Sequence, residues 1–146
     1  GGHGDTMVSM LNHTTVNGKA VLDFVKEGKL DKDTLESIVQ RTKSGGAEIV
    51  KLLEKGSAFY APAASGVEMA ESYLNDLKKQ LPCAAYLSGE YGIKDLYVGV
   101  PVIIGKNGIE KVIEIKLSPN EKENFDRSIK AVQELFNAAK KIDKDL

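Results

Sequence analysis

The chain has one cysteine, Cys83, among 146 residues. A single thiol cannot close an internal disulfide, so a disulfide scaffold is excluded and a reducing, cytoplasmic setting fits. With that thiol and two histidines, His3 and His13, a Cys/His zinc site has no basis, and no metal is expected. Arginine is as scarce: only Arg41 and Arg127 occur. Charge of one sign is also missing, since the net charge is -1 and no basic block interrupts the pattern. That argues against a nucleic-acid surface. No apolar run approaches the ~20 residues that span a bilayer, so no membrane contact is expected, nor is a secretory signal.

What is present is ordinary globular material. The hydrophobic fraction is 42% and the charged fraction 28%, the balance of a soluble domain. The length suffices for one domain with a real core. No repeat, linker or low-complexity stretch divides it.

The most polar and glycine-dense run is Gly1-Gly2-His3-Gly4-Asp5-Thr6. Its three glycines allow backbone conformations closed to residues with a Cβ. His3 is therefore expected on a thin loop, with Asp5 and Thr6 offering an acceptor and a hydroxyl to fix it. An imidazole with an unperturbed pKa of about 6.5 gives and takes protons near neutrality. Such a run taken alone more often marks a turn histidine with its bonds satisfied. His13 lacks a flanking glycine or acid and reads as a structural or partly exposed residue of a strand-like piece.

The rest of the chain reads as alternating helix and hairpin. Thr14-Thr15-Val16 favours a strand, and Asn17-Gly18 is a hairpin signal. A short helix over 21–27 ends at Gly28. Asp31 caps a helix over 32–43 with Leu35, Ile38, Val39 and Thr42 on one face. Ser44-Gly45-Gly46 breaks or bends it, and helix resumes over 47–55 with Ile49, Val50, Leu52 and Leu53 inward and Gly56 as the stop. Another long helix is expected over 57–81, with small residues at its start and Val67, Ala70, Leu74, Leu77 and Leu81 inward. Small side chains there suit close packing against a neighbouring backbone or a second copy. Pro82 ends it. Strands follow over 83–87 and 96–104, with Pro101 implying an edge or bulge. Lys106-Asn107-Gly108 turns into a return strand over 109–117. Ser118 and Pro119 open the last helix as N-cap and N1, with Phe125, Ile129, Val132 and Phe136 buried. A charged tail fills 140–146. The fold class is α+β: an antiparallel, hairpin-rich sheet packed with long helices.

Several of these runs share a resemblance. Gly1 to Val8 resembles the catalytic-histidine loop of the lactate/malate dehydrogenase family. Lys55 to Ser65 resembles the segment that flanks substrate and nicotinamide there. Gly89-Glu90-Tyr91-Gly92-Ile93 and Tyr97-Val98-Gly99-Val100-Pro101 resemble its late strands. The runs follow family order and spacing from Gly1 to about Phe136, closest to the bacterial lactate-dehydrogenase-like malate dehydrogenases. Ser9 departs from the Pro usual in such sequences. The family's C-terminal, substrate-side domain is the fold this resemblance implies.

The resemblance implies chemistry as well. It is hydride transfer between NAD and the carbon of malate or oxaloacetate, with His3 donating or accepting the oxygen's proton. Gly2, Asp5, Ser57, Ala58 and Pro62 would lie beside substrate and cofactor. No G-x-G-x-x-G follows an apolar strand here, and position 1 is not Met. The chain is thus expected to be the half that follows a dinucleotide-binding half, inactive by itself and completed by that half in cis or in trans. The carboxylate that orients the histidine would come from the missing half. So would the arginines that grip the substrate, since a planar bidentate grip needs Arg, and Arg41 and Arg127 read as exposed helix charges. A homo-oligomer is also expected. The other readings are a non-catalytic assembly module and the matching half of a lactate dehydrogenase.

Overall fold

The computed structural model describes residues 1–143. The chain opens with a 3-10 turn, Gly4–Thr6, and a second one, Leu11–His13. A small hairpin follows, β1 (Thr15–Val16) and β2 (Lys19–Ala20). Its corner residues Asn17 and Gly18 both take positive φ, 49° and 79°, as the Asn-Gly pair foretells. Then come α1 (Val21–Lys26), α2 (Lys32–Leu53) and α3 (Tyr60–Leu74). The sheet strands β3 (Lys79–Ser88), β4 (Lys94–Gly105) and β5 (Gly108–Val112) precede the last helix, α4 (Pro119–Ile142). The α+β expectation holds. The tail beyond 143 lies outside the described residues.

The sheet is antiparallel in the order β3-β4-β5. Burial alternates along β4, with Leu96, Val98, Val100, Val102 and Ile104 turned inward. Cys83, Ala85 and Leu87 of β3 lie on the same face, and Phe125 of α4 closes over it. Ile129, Val132 and Phe136 extend that cover along α4, as its apolar period requires. Ser118 and Glu121 form a capping box at the start of α4, with Pro119 at its first helical position.

Two prolines fix where the ladder carries bonds. Pro82 faces Pro101 across β3 and β4. Neither has an N–H to give, so this pair exchanges no backbone bond and its carbonyls point outward. The Pro101 carbonyl accepts instead from Ile113 N–H, at 2.8 Å. Alternation makes the Ala84–Gly99 pair another without exchanged bonds. The peptide groups of Gly99 therefore face away from β3.

Several expectations are corrected. The helix does not break at Ser44-Gly45-Gly46: α2 is continuous to Leu53. Each glycine costs about 1 kcal/mol in a helix, less than the cooperative gain of a long run. The end comes at Glu54, with φ 61°. Helix 57–81 is shorter than expected. Residues 57–59 lie outside it, and α3 stops at Leu74 because Asp76 and Lys78 adopt positive φ and turn the chain into β3. Asn75-Asp76 is the turn signal for this. Leu81 and Pro82 consequently lie in β3. The return strand ends at Val112, with no regular element over 113–117. His13 lies in a 3-10 turn, not a strand.

The stripes assigned to the core on α2 and α3 are mostly open, although Leu35 is buried and Val39 half-buried. Leu52 is 77% and Leu74 76% exposed, and Ile38, Ile49 and Val67 are also uncovered. The open positions have period and hydrophobicity but no element that covers them among the described residues. Among the described residues, no helix is long and apolar enough to cross a membrane.

Candidate active site

The glycine-rich run is pinned rather than loose. Gly1 lies along the side of β4 that faces away from β3. The Gly99 N–H donates to the Gly1 carbonyl at 2.9 Å, and the Gly1 nitrogen donates to the Gly99 carbonyl at 2.6 Å. One residue further, the Gly2 N–H donates to the Ser128 hydroxyl oxygen of α4 at 2.6 Å. Ser128 is 1% exposed. The glycines are needed for two different reasons. A Cβ on Gly1 would run into the Ser128 hydroxyl, and one on Gly2 into the Thr6 hydroxyl. Gly4 has open space around it but takes φ 69°, which disfavours side chains.

His3 stands between these anchors and the first 3-10 turn, as that turn's N-cap residue. Its imidazole is exposed and has no hydrogen-bond partner among the described residues. It borders a cleft of about 710 Å³. Gly2 and Met7 stand beside it, Ser65 comes from α3, and Tyr97 and Pro101 come from the sheet. Cys83 and Tyr91 line the same cleft. Burial raises the Cys83 thiol above its ordinary pKa, so it stays a thiol at neutrality. Tyr91 is also raised, chiefly by burial, and its hydroxyl is engaged: it donates to Ile113 O at 2.7 Å and accepts from Ile115 N at 3.0 Å. Neither is free for proton transfer. In this cleft the exposed side chains whose acid–base groups are unengaged among the described residues are the His3 imidazole and the Tyr97 phenol.

The other expected residues are placed as follows. Asp5 is exposed, makes no hydrogen bond among the described residues, and borders a separate hollow with Lys43, Asn124 and Arg127. Asp5 and Thr6 therefore do not fix the loop by side-chain bonds; Gly99 and Ser128 do, because the backbone of Gly1 and Gly2 already meets its partners there. Ser57, Ala58 and Pro62 do not line the His3 cleft. They sit just before and within the first turn of α3, with Ser57 and Pro62 exposed. Arg41 forms a bidentate pair with Glu48, at 2.9 and 3.1 Å, and Arg127 bonds Asn124 and Glu123. Both are exposed helix charges, as expected. His13 donates from Nε2 to the Lys116 carbonyl at 3.1 Å and serves structure. A second cleft, about 550 Å³, lies between α1, α2 and the start of α4, away from His3.

Gly99 and Ser128 had not been singled out as site residues. The signals were present: a glycine interrupting a valine-rich strand marks close backbone approach, and a serine on the apolar face of α4 needs a partner.

Comparison with known proteins adds to this geometry. The profile of the lactate/malate dehydrogenase, alpha/beta C-terminal domain matches residues 1–144. A malate dehydrogenase of Pelagibacter ubique (strain HTCC1062) is 64% identical over 146 residues, which is 100% of this chain and 46% of that protein. The crystal structure of Cryptosporidium parvum malate dehydrogenase superposes with a TM-score of 0.94 at 48% identity, covering 97% of this chain and 45% of that one. The lactate dehydrogenase of Eimeria maxima, crystallised with NADH and oxamate, gives 0.92 at 41% identity, covering 97% and 44%. The chain spans less than half the length of these relatives.

Proposed function

Since the chain belongs to the lactate/malate dehydrogenase family, we propose that it is the substrate-side half of an NAD-dependent malate dehydrogenase, with His3 as the proton donor and acceptor. The observation that carries this reading is the His3 imidazole: exposed, free of partners among the described residues, and held on a loop anchored at two points beside a cleft. A protonated His3 donates a hydrogen bond to the ketone oxygen of oxaloacetate and passes its proton to the forming alkoxide. In the reverse direction, neutral His3 takes the hydroxyl proton of malate. Malate is supported by the 64% identity to a malate dehydrogenase; among the solved structures the Cryptosporidium parvum malate dehydrogenase is 48% identical and the lactate dehydrogenase of the same organism 42%.

When bound, the cofactor would supply the hydride to oxaloacetate as NADH and take it from malate as NAD+. The residues present fit only one end of it. Gly56, Ser57, Ala61, Ala63, Ala64 and Gly66 are small and exposed, and a Cβ on Gly56 or Gly66 would meet nothing within 4 Å. A flat ring has room to lie against such a surface, so Ser57, Ala58 and Pro62 would border the nicotinamide, and Gly2 would border the substrate in the His3 cleft. Phosphates and ribose would be held by the dinucleotide-binding half, in cis or in trans. That half would also provide the carboxylate that orients His3 and the arginines that grip the substrate. The chain alone would then be folded but without turnover, in keeping with a reducing cytoplasm and a homo-oligomer.

The test joins this chain to the dinucleotide-binding half of the Pelagibacter relative and follows NADH oxidation with oxaloacetate and with pyruvate. Oxaloacetate should be the better substrate. His3→Asn should lower kcat by about 100-fold or more while leaving NADH affinity intact. Wild-type turnover by His3→Asn would end the assignment of His3, and preference for pyruvate would make the chain half of a lactate dehydrogenase.

A further inference from the structure

We infer that Ser128 of α4 and Gly99 of β4 are positioning residues for proton transfer, holding the His3 loop at the height and angle its chemistry needs. The inference rests on the proposed acid–base role of His3. The two residues grip the two ends of one peptide group, the Gly1 carbonyl and the Gly2 N–H, from different elements. Gly99 offers its N–H to the Gly1 carbonyl, because the proline pair at 82 and 101 sets the phase of the ladder and turns the Gly99 peptide groups away from β3. Ser128 then accepts from Gly2 N–H at 2.6 Å. A residue gripped this close to His3 leaves its backbone little freedom, although the imidazole itself is exposed.

Neither position tolerates ordinary replacement. A Cβ on Gly99 would stand 2.5 Å from the Gly1 carbonyl oxygen, so the loop would have to lift off the sheet. Removing the Ser128 hydroxyl leaves the Gly2 N–H without its acceptor in a part-buried place. Both changes act on the loop from platforms that do not themselves reach the cleft through a reacting side chain. A displacement of about 1 Å is enough to cost roughly 100-fold in rate.

The experiment uses the joined two-half enzyme. Ser128→Ala and Gly99→Ala should each lower kcat for oxaloacetate reduction by roughly ten- to a hundredfold, with the KM for NADH close to wild type and the enzyme still folded at the assay temperature, although each melts below wild type. Wild-type kcat in Ser128→Ala overturns the inference. So does a fall in kcat that is matched by loss of NADH affinity and of the folded state, since that is a merely structural role. Hydrogen exchange on the unmodified enzyme decides independently of how the variants fold. The amides of Gly2 and Gly99 should exchange as slowly as those within β4, and exchange at the rate of an exposed loop would refute the clasp. His3→Asn separates the two levels: an active His3→Asn removes the acid–base reading itself, whereas an inactive His3→Asn beside a wild-type Ser128→Ala removes only the positioning role.

Discussion

Glu121 is a carboxylate only 5% exposed, yet it is held in its charged form. Burial pushes its pKa up, but hydrogen bonds from the Ser118 N–H and hydroxyl and from the Asn12 N–H outweigh that and leave it below the ordinary value. Because the folded pKa is depressed, its stabilisation is present above the ordinary carboxylate value of 4.5 and fades as pH falls through the lower folded value. Glu121→Gln keeps the shape and loses the charge. It should cost about 1 kcal/mol at neutral pH, with the gap from wild type closing below pH 4.5. Denaturant unfolding across that range is the measurement, and a gap that stays constant would mean the charge contributes nothing. The same carboxylate ties the segment after the His3 loop, through Asn12, to the start of α4. Residue-scale bonding of this kind, with the Gly1–Gly99 and Gly2–Ser128 contacts, gives a polar loop a fixed seat.

Elements show where local rules were overruled. α2 carries Gly45 and Gly46 in its interior and still runs unbroken over 22 residues. Both have open space where a Cβ would go, and neither has positive φ. Gly46→Ala should therefore stabilise the chain by roughly 0.5–1 kcal/mol. Thermal unfolding checks this, and a loss would reveal a close approach there that this chain does not contain. α3 shows the opposite case. Its apolar period continues past Leu74, but the Asn75-Asp76 turn stops it. Ser72, fully buried, holds the corner by donating to Ile104 O and accepting from Lys79 N–H. Turn chemistry prevails over periodicity because two positive-φ residues cannot be built into a right-handed helix.

The whole molecule has one well-covered face and one bare one. The sheet core lies between β3, β4 and α4, while α2 and α3 display Ile38, Ile49, Leu52, Tyr60, Val67 and Leu74 to solvent. Apolar surface of this extent marks contact with something else, and the proposed occupants are the dinucleotide-binding half and a second copy. The chain alone should bind the dye ANS, and binding should fall by at least about half when the other half is joined to it, as covered area leaves water. Unchanged dye binding would mean these faces remain open in the longer protein. The histidine loop lies on the rim of the covered part, which explains how its backbone is rigid while its imidazole is exposed.

Composition and local pattern by themselves determined the α+β class, the Asn-Gly hairpins, both helix starts at Asp31 and Ser118, and the existence of the two long strands, because each depends on neighbours within a few residues. The glycine-framed histidine was legible for the same reason, and the chemistry proposed for it comes through the family its runs resemble. Only the tertiary structure decided which apolar stripes are covered, since a period of 3.6 says that a helix has a face but not what meets it. It alone decided that Asp5 is not the loop's anchor and that Gly99 and Ser128 are. Those contacts join residues about a hundred positions apart; the pair with Gly99 arises from the phase of a strand ladder that two facing prolines set, and the bond to Ser128 from the packing of α4.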